Sequence, residues 1–252
     1  MDYMRPLRIL SYNIHKGLGL GNRSFVLPAI RDALVASQAD IVFLQEVVGK
    51  HDKHALRFEG WPQLPQHEFL AGAEWPHAAY GKNAMYAHGH HGNAILSRFP
   101  IVTAENIDIS TNPLESRGIL HAVIEVPGSQ RHLHCMCVHL NILQRGRDLQ
   151  IQRLVRRVMQ QELHTEPLLV AGDFNDWQER ASQQLSQTLG LHEVFERLTG
   201  EHALSFPTMY PLLKLDRLYV RSLIPRVATV LNGAPWSGLS DHAPIAAELE
   251  LL

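Results

Sequence analysis

The alternation and clustering of apolar positions predict about ten strands, several in hairpins, with three helices spaced between them. Leu7-Arg-Ile-Leu-Ser-Tyr-Asn13 alternates and then meets Gly17, Gly19 and Gly21, the mark of a strand entering a loop. Between Ser24 and Gln38 the positions Ile30, Ala33, Leu34 and Ser37 keep helical spacing, with Ser24 as N-cap and Pro28 near the first turn. Asp40-Ile-Val-Phe-Leu-Gln-Glu46 is a continuous apolar run closed by Glu46, a second strand with a carboxylate at its carboxyl end. Residues 47–92 show no period and scatter seven histidines from His51 to His91, which reads as a long functional loop or as a run of short elements that the pattern does not resolve.

Beyond that loop the strand signals return. Gly92 to Ser97 is a short strand, and after the turn at Pro100 another runs from Ile101 to Ile109. Gly118 to Val126 and His132 to Leu140 form a pair across Pro127-Gly128-Ser129. A helical stripe of Ile151, Leu154, Val155, Val158 and Met159 lies within Gln144 to His164, and Arg153, Arg156 and Arg157 occupy its solvated side. Leu168-Leu-Val-Ala-Gly172 is a buried strand that delivers Asp173 and Asn175. These two share a face if the extended conformation continues, and they close an Asx turn if it does not. A helix from Gln178 to Leu189 ends at Gly190, and strands follow at Leu215–Val220, Val227–Leu231 and Ile245–Leu251.

Strands that alternate with helices and hairpins predict an α/β fold of two packed β-sheets flanked by helices. Composition narrows the class. The 252 residues are 45% hydrophobic and 19% charged, as expected of one globular domain spanning residues 1–252. A formal charge of −2 gives no global field for a polyanion, so nucleic acid would need a local basic patch. Asp2 stands where a signal peptide would be basic, and no apolar run approaches the ~20 residues that span a bilayer. A cytoplasmic location is the expectation. Cys135 and Cys137, two apart in one strand, are core thiols rather than a disulfide.

The acidic, amide and imidazole residues collect at strand ends, where scaffolds carry chemistry. No Gly-x-Ser-x-Gly elbow or Walker loop is present, which disfavours a covalent route. Glu46, Asp241 and Asn13 are hard oxygen donors of the kind Mg²⁺ takes, with Mn²⁺ as a substitute, whereas zinc would draw on several imidazoles or thiolates. His88, His90 and His91 match no structural zinc spacing and read as part of a solvated loop. Asp173 suits a base for water, with Asn175 holding water or phosphate. His242, oriented by Asp216, suits a cation for the pentacovalent oxyanion.

Tyr12-Asn13, Leu44-Gln45-Glu46, Gly92-Asn-Ala-Ile-Leu-Ser97, His139-Leu-Asn141, Gly172-Asp-Phe-Asn175, Leu215-Asp216-Arg and Ser240-Asp241-His242 resemble, in order, the motifs of the endonuclease/exonuclease/phosphatase superfamily. The resemblance runs from Leu7 to Leu251 and implies a four-layered α/β sandwich, Mg²⁺ dependence and phosphoester cleavage. It would make Glu46 the principal metal ligand with Asn13 and Asp241 beside it. Asp173 and Asn175 would position water, Asp216 would orient His242, and His139 would contact the scissile phosphate. Which of Asp173 and the His242–Asp216 pair is the base stays open at this level. His15 and His139 depart from the abasic-site endonuclease pattern, which points toward the deoxyribonuclease-like and sphingomyelinase-like branches. Arg117 is either a phosphate ligand or a surface cation, and Asn141 is grouped with it for substrate binding. Trp177 and Trp236 are base-stacking or core residues.

The reading is therefore a metal-dependent phosphoester hydrolase whose substrate is nucleic acid, a phospholipid or a small phosphoester. Membrane contact, where it occurs, would be peripheral. The alternative is an inactive binding or regulatory module that keeps the fold, against which stands the full set of catalytic side chains.

Overall fold

A computed structural model describes residues 5–112, 115–161, 163 and 165–252. Asp2 and His164, which the sequence reading reached, lie outside the described residues. One six-stranded sheet contains β1 (Leu7–Asn13), β2 (Ile41–His51), β3 (His77–Tyr86), β4 (Gly89–Ser97), β11 (Leu223–Val230) and β12 (Ile245–Leu251). The other, also six-stranded, contains β5 (Ile101–Asp108), β6 (Gly118–Ile124), β7 (Leu133–His139), β8 (Leu168–Asp173), β9 (His192–Glu193) and β10 (Asp216–Arg221). The first sheet runs β11-β12-β1-β2-β4-β3 and the second β5-β6-β7-β8-β10-β9.

The two sheets share a plan. Each has a parallel pair at its middle, β1 with β2 and β7 with β8, and antiparallel neighbours outside it. A parallel pair needs a long crossover, and helices α1 (Leu27–Ser37) and α4 (Gln144–Gln160) supply the two crossovers here. The remaining helices are α2 (Asp52–Arg57), α3 (Gln66–Ala71), α5 (Arg180–Leu189) and α6 (Val194–Thr199).

Three apolar cores define the layers. Ile9, Ile41 and Phe43 of one sheet meet Cys135, Leu169 and Leu218 of the other in the central core. Strand alternation sends Leu10, Tyr12, Val42 and Leu44 to the opposite face, where they pack on Leu27, Ile30 and Leu34 of α1 and Leu70 of α3. Met136, Val138 and Val170 likewise face Ile151, Leu154 and Val158 of α4 and Leu185 of α5. The result is helix, sheet, sheet, helix, the four-layered sandwich that the sequence predicted. Cys135 and Cys137 are buried and unbridged, and burial pushes the Cys137 thiol up to about 12.

The structure corrects several predicted bounds. Of the two readings of residues 47–92, short elements and not one long loop are found: β2 continues to His51, α2 and α3 follow, and β3 pairs along β4. Short elements broken by Gly and Pro leave too few turns to show a period. The first helix begins at Leu27 after Val26, without a side-chain cap, and Ser24 instead accepts the Gly19 N–H through its carbonyl at 3.0 Å. Arg157 is not simply solvated, since it pairs with Glu105 on β5. Among the described residues no helix is long and apolar enough to cross a membrane.

One glycine is fixed by sterics. Gly172 has φ +144°, and a Cβ there would stand 1.9 Å from the Val138 carbonyl oxygen of β7. Backbone cannot yield as a flexible side chain can, so Gly172→Ala is expected to destabilise the fold by more than about 4 kcal/mol, the range reserved for severe core damage. Urea unfolding of the variant beside the parent checks this, and a loss below about 1 kcal/mol would contradict the packing described.

Candidate active site

The site forms where the inner faces of both sheets turn from apolar to polar at the same end. Period-two alternation carries the inner face of β1 from Ile9 through Ser11 to Asn13, and that of β7 from Cys135 through Cys137 to His139. On β8 it runs from Leu169 through Ala171 to Asp173, and on β10 from Val220 through Leu218 back to Asp216. Register does the rest: His139 pairs with Asp173, and Asp173 pairs with Asp216, so three polar residues lie side by side across neighbouring strands.

Asp173 is the centre. Its Oδ2 accepts a hydrogen bond from Asn13 Nδ2 of the opposite sheet at 3.1 Å, and lies 3.5 Å from His139 Nε2 and 3.7 Å from His242 Nε2. Its Oδ1 accepts the Asn175 N–H at 2.9 Å. Burial pushes this carboxyl up to about 7, against the opposing pull of His242 and with Asp216 adding to the rise. The Asx turn is thus realised, and the shared-face alternative for Asn175 is not. The strand stops at Asp173, Asn175 takes φ +50°, and its Nδ2 donates to the Leu140 carbonyl at 2.9 Å. Asn tolerates that left-handed backbone better than most residues.

His242 sits on the loop before β12 and its Nδ1 is 2.8 Å from Asp216 Oδ2. Burial disfavours its charge, but Asp216 and then Asp173 outweigh that and lift it to about 10, so the imidazole is a cation near neutral pH. Ser205 donates to the same Asp216 oxygen at 2.6 Å, and the Phe206 ring lies 4.9 Å from the imidazole. Ser240 Oγ donates to the Asn13 carbonyl at 2.7 Å and accepts the His242 N–H at 3.2 Å, tying this loop to β1. His139 is buried, which together with Arg117 drives it well below the usual imidazole range and leaves it neutral.

Glu46 reaches the site by a different device. The strand does not end there, as the sequence suggested; the register slips between Leu44 and Val47, and Glu46 has φ +57°. Unbroken alternation would have put it on the helix side with Leu44, and the bulge re-aims it. Lys16 Nζ lies 2.9 Å from its Oε2. Burial opposes ionisation of Glu46, yet the neighbouring His139 and Lys16 outweigh it and hold the carboxyl well below the usual carboxylate range. Asp241, half-buried, has His15 Nδ1 at 3.2 Å from its Oδ1; burial is outweighed by that contact and its carboxyl is also lowered. Asn13 Oδ1 accepts the His15 N–H at 3.1 Å.

Glu46, Asp241 and Asn13 therefore offer hard oxygen donors in a place that already attracts positive charge, and this fits Mg²⁺ or Mn²⁺ in donor type. Among the described residues no three His, Cys, Asp or Glu side chains converge to enclose a metal unaided. Mg²⁺ commonly keeps several waters and needs only one or two carboxylates, a demand that donors of this type can meet.

Other predicted residues fall into place unevenly. Arg117 is held by Glu115 at 2.9 Å and lines a narrow cleft with Glu46, His91 and His139, so it belongs to the site rather than to open surface. Asn141 is committed to the scaffold: its Nδ2 donates to Thr111 Oγ1 at 2.9 Å and its Oδ1 accepts from Gln150 Nε2 at 2.8 Å. Trp236 is a core residue packed edge-on to Tyr12 at 5.5 Å, and exposed Trp177 lies under the Arg147 guanidinium at 4.5 Å. His90 hydrogen-bonds with Tyr80 at 3.0 Å, while His91 faces the cleft. Lys16, His15, His91 and Ser205 were missed as site residues. Only His15 carried a signal, its place two after Asn13.

A family model described as the endonuclease/exonuclease/phosphatase family matches residues 10–242. The chain belongs to this family. Within it, the chain is 47% identical over 245 residues to YbhP of Escherichia coli K12, covering 97% of this chain and 96% of that one. The catalytic domain of human Nocturnin shares the fold at TM-score 0.76 and 21% identity, over 98% of this chain and 94% of that one. A mannosyl-6-phosphatase of Bacteroides thetaiotaomicron does so at 0.72 and 19%, over 96% and 99%. The family takes its name from enzymes that cleave phosphoesters.

Proposed function

We propose that the site hydrolyses a phosphoester by direct attack of water on phosphorus, with Mg²⁺ held by Glu46 and Asp241 beside Asn13. The observation that carries this reading is the convergence of Asn13, His139 and His242 on one oxygen of Asp173. When bound, the metal would withdraw charge from a phosphoryl oxygen. The protein's own groups do the remainder. Asp173, its carboxyl lifted by burial to about 7, takes a proton from water as the water oxygen bonds phosphorus. His242, kept cationic by Asp216, stabilises the oxyanion, and neutral His139 donates a hydrogen bond to the phosphate. One phosphorus–oxygen ester bond breaks, and the leaving oxygen ends as an alcohol after taking up a proton. Asn175 supports this arrangement from its turn, holding Asp173 and Leu140 in place. Arg117, close to the cleft, adds a cation for the phosphate.

The same observation favours turnover over an inactive module, because Asn13, His139, Asp173, Asp216 and His242 are all present and form one connected cluster. Purified protein is expected to hydrolyse bis(p-nitrophenyl) phosphate with Mg²⁺ or Mn²⁺ and to stop in EDTA. Glu46→Gln is expected to raise the Mg²⁺ concentration for half-maximal rate by about tenfold or more, the loss of one charge-assisted ligand. Hydrolysis that persists unchanged in EDTA would refute the metal-assisted route.

A further inference from the structure

The loops at the site end of the sandwich carry the most exposed apolar side chains among the described residues. Leu56, Met85, Leu143, Met209, Tyr210 and Leu212 are 66% to 90% exposed. Leu56 is on α2, directly after β2, and Met85 is at the tip of the β3–β4 hairpin. Leu143 follows the exit of β7, and the other three lie on the loop whose Thr208 N–H donates to the Asp241 carbonyl at 2.7 Å. Four separate segments thus carry exposed apolar side chains at the end of the sandwich where the strands deliver the site residues. β2 runs five residues past Glu46, about 15 Å, so α2 and Leu56 begin well beyond that carboxylate.

Water-exposed apolar side chains grouped in one region mark an interaction surface. The neighbouring charges say what kind. Exposed Lys53 and Arg57 flank Leu56 on α2, exposed Arg145 follows Leu143, and exposed Arg23 lies on the loop after β1. Asp52 and Glu59 are the acidic residues around α2. Cations beside apolar tips are a local feature of a chain whose formal charge is −2. Apolar tips that enter the acyl boundary while adjacent cations meet lipid phosphates is how peripheral proteins hold an anionic bilayer.

We propose that this rim docks on an anionic bilayer and that the substrate is a phosphoester of a lipid headgroup. The proposal rests on the phosphoesterase reading above, and adds the class of molecule that carries the scissile bond. A phosphate within the headgroup layer would face Asp173 when the tips are seated, whereas a soluble phosphoester gains nothing from the rim.

The test is flotation of the full chain with vesicles of phosphatidylcholine alone and of phosphatidylcholine with phosphatidylglycerol. Release of product from the phosphatidylglycerol and turnover of bis(p-nitrophenyl) phosphate are measured alongside. Binding is expected only with phosphatidylglycerol. The triple variant Leu56→Ser, Leu143→Ser, Tyr210→Ser should weaken it by about tenfold or more, since each change removes apolar surface from the membrane. Lipid cleavage should fall in parallel while turnover of the soluble diester stays at the parent level. A circular dichroism melt unchanged from the parent certifies the fold of the variant. Turnover of the soluble diester with no vesicle binding would overturn the docking proposal and leave the phosphoesterase reading standing. Self-association through these loops, abolished by the triple variant without any vesicle binding, would likewise overturn it in favour of a protein interface. A parent protein that cleaves neither substrate would instead remove the phosphoesterase reading, and the lipid substrate with it.

Discussion

Asp173→Asn is expected to lower kcat for a phosphodiester by on the order of 10²- to 10⁴-fold, the usual contribution of a positioned general base. The substitution keeps shape and volume, and an amide oxygen still accepts the Asn175 N–H now bound at 2.9 Å. What it removes is a group able to take a proton, at the one oxygen that Asn13, His139 and His242 surround. Because burial already disfavours the Asp173 charge, the variant should melt close to the parent temperature or above it. Loss of rate with retained stability is therefore the signature, read by initial rates and a thermal scan on one preparation. A variant within tenfold of the parent would take Asp173 out of the proton transfer and return that role to the His242–Asp216 pair.

His242→Gln is expected to cost on the order of 10²- to 10³-fold in kcat, the range seen when one preorganised oxyanion donor is lost. Asp216→Asn should also lower the rate, since it removes the carboxylate 2.8 Å from Nδ1 that favours the imidazolium. Asp216 does not act on phosphate in this scheme; it acts through His242. The double variant should then be about as slow as His242→Gln alone, because groups that work as a unit are not additive. Rates of all four proteins form the cycle. Multiplicative losses would mean that Asp216 has an independent task. Ser205 and Phe206 also touch this pair, so the two single variants are best chosen to preserve volume.

The legible part of the site followed from local rules. An apolar run that ends in a carboxylate, such as Leu168 to Asp173, is a buried strand whose last side chain inherits the face of its predecessors. That is why Asp173 and His139, each at the carboxyl end of its strand, sit where they were expected. The motif order then assembled the set before any contact was known. The elements within residues 47–92 stayed unresolved because α2 and α3 are six residues each and β3 is broken by its own register shift, leaving no period to detect. Asn141 was misassigned for another reason. A side chain two positions after His139 gives no hint that Thr111 and Gln150 will claim its amide.

By itself, then, the sequence determined the layered α/β class, the strand ends that carry chemistry, and membership of the endonuclease/exonuclease/phosphatase family. These rest on period, composition and motif order, all of which are properties of contiguous residues. Only the tertiary structure decided that the bulge at Glu46 turns its carboxylate to the site. It also decided that Lys16 and His15 stand against the two candidate metal-binding carboxylates, and that exposed apolar side chains from four parts of the chain share the end of the sandwich that bears the site. Those features depend on register between strands and on which distant segments share an end of the sandwich, and such non-local pairing leaves no period in the residues that take part.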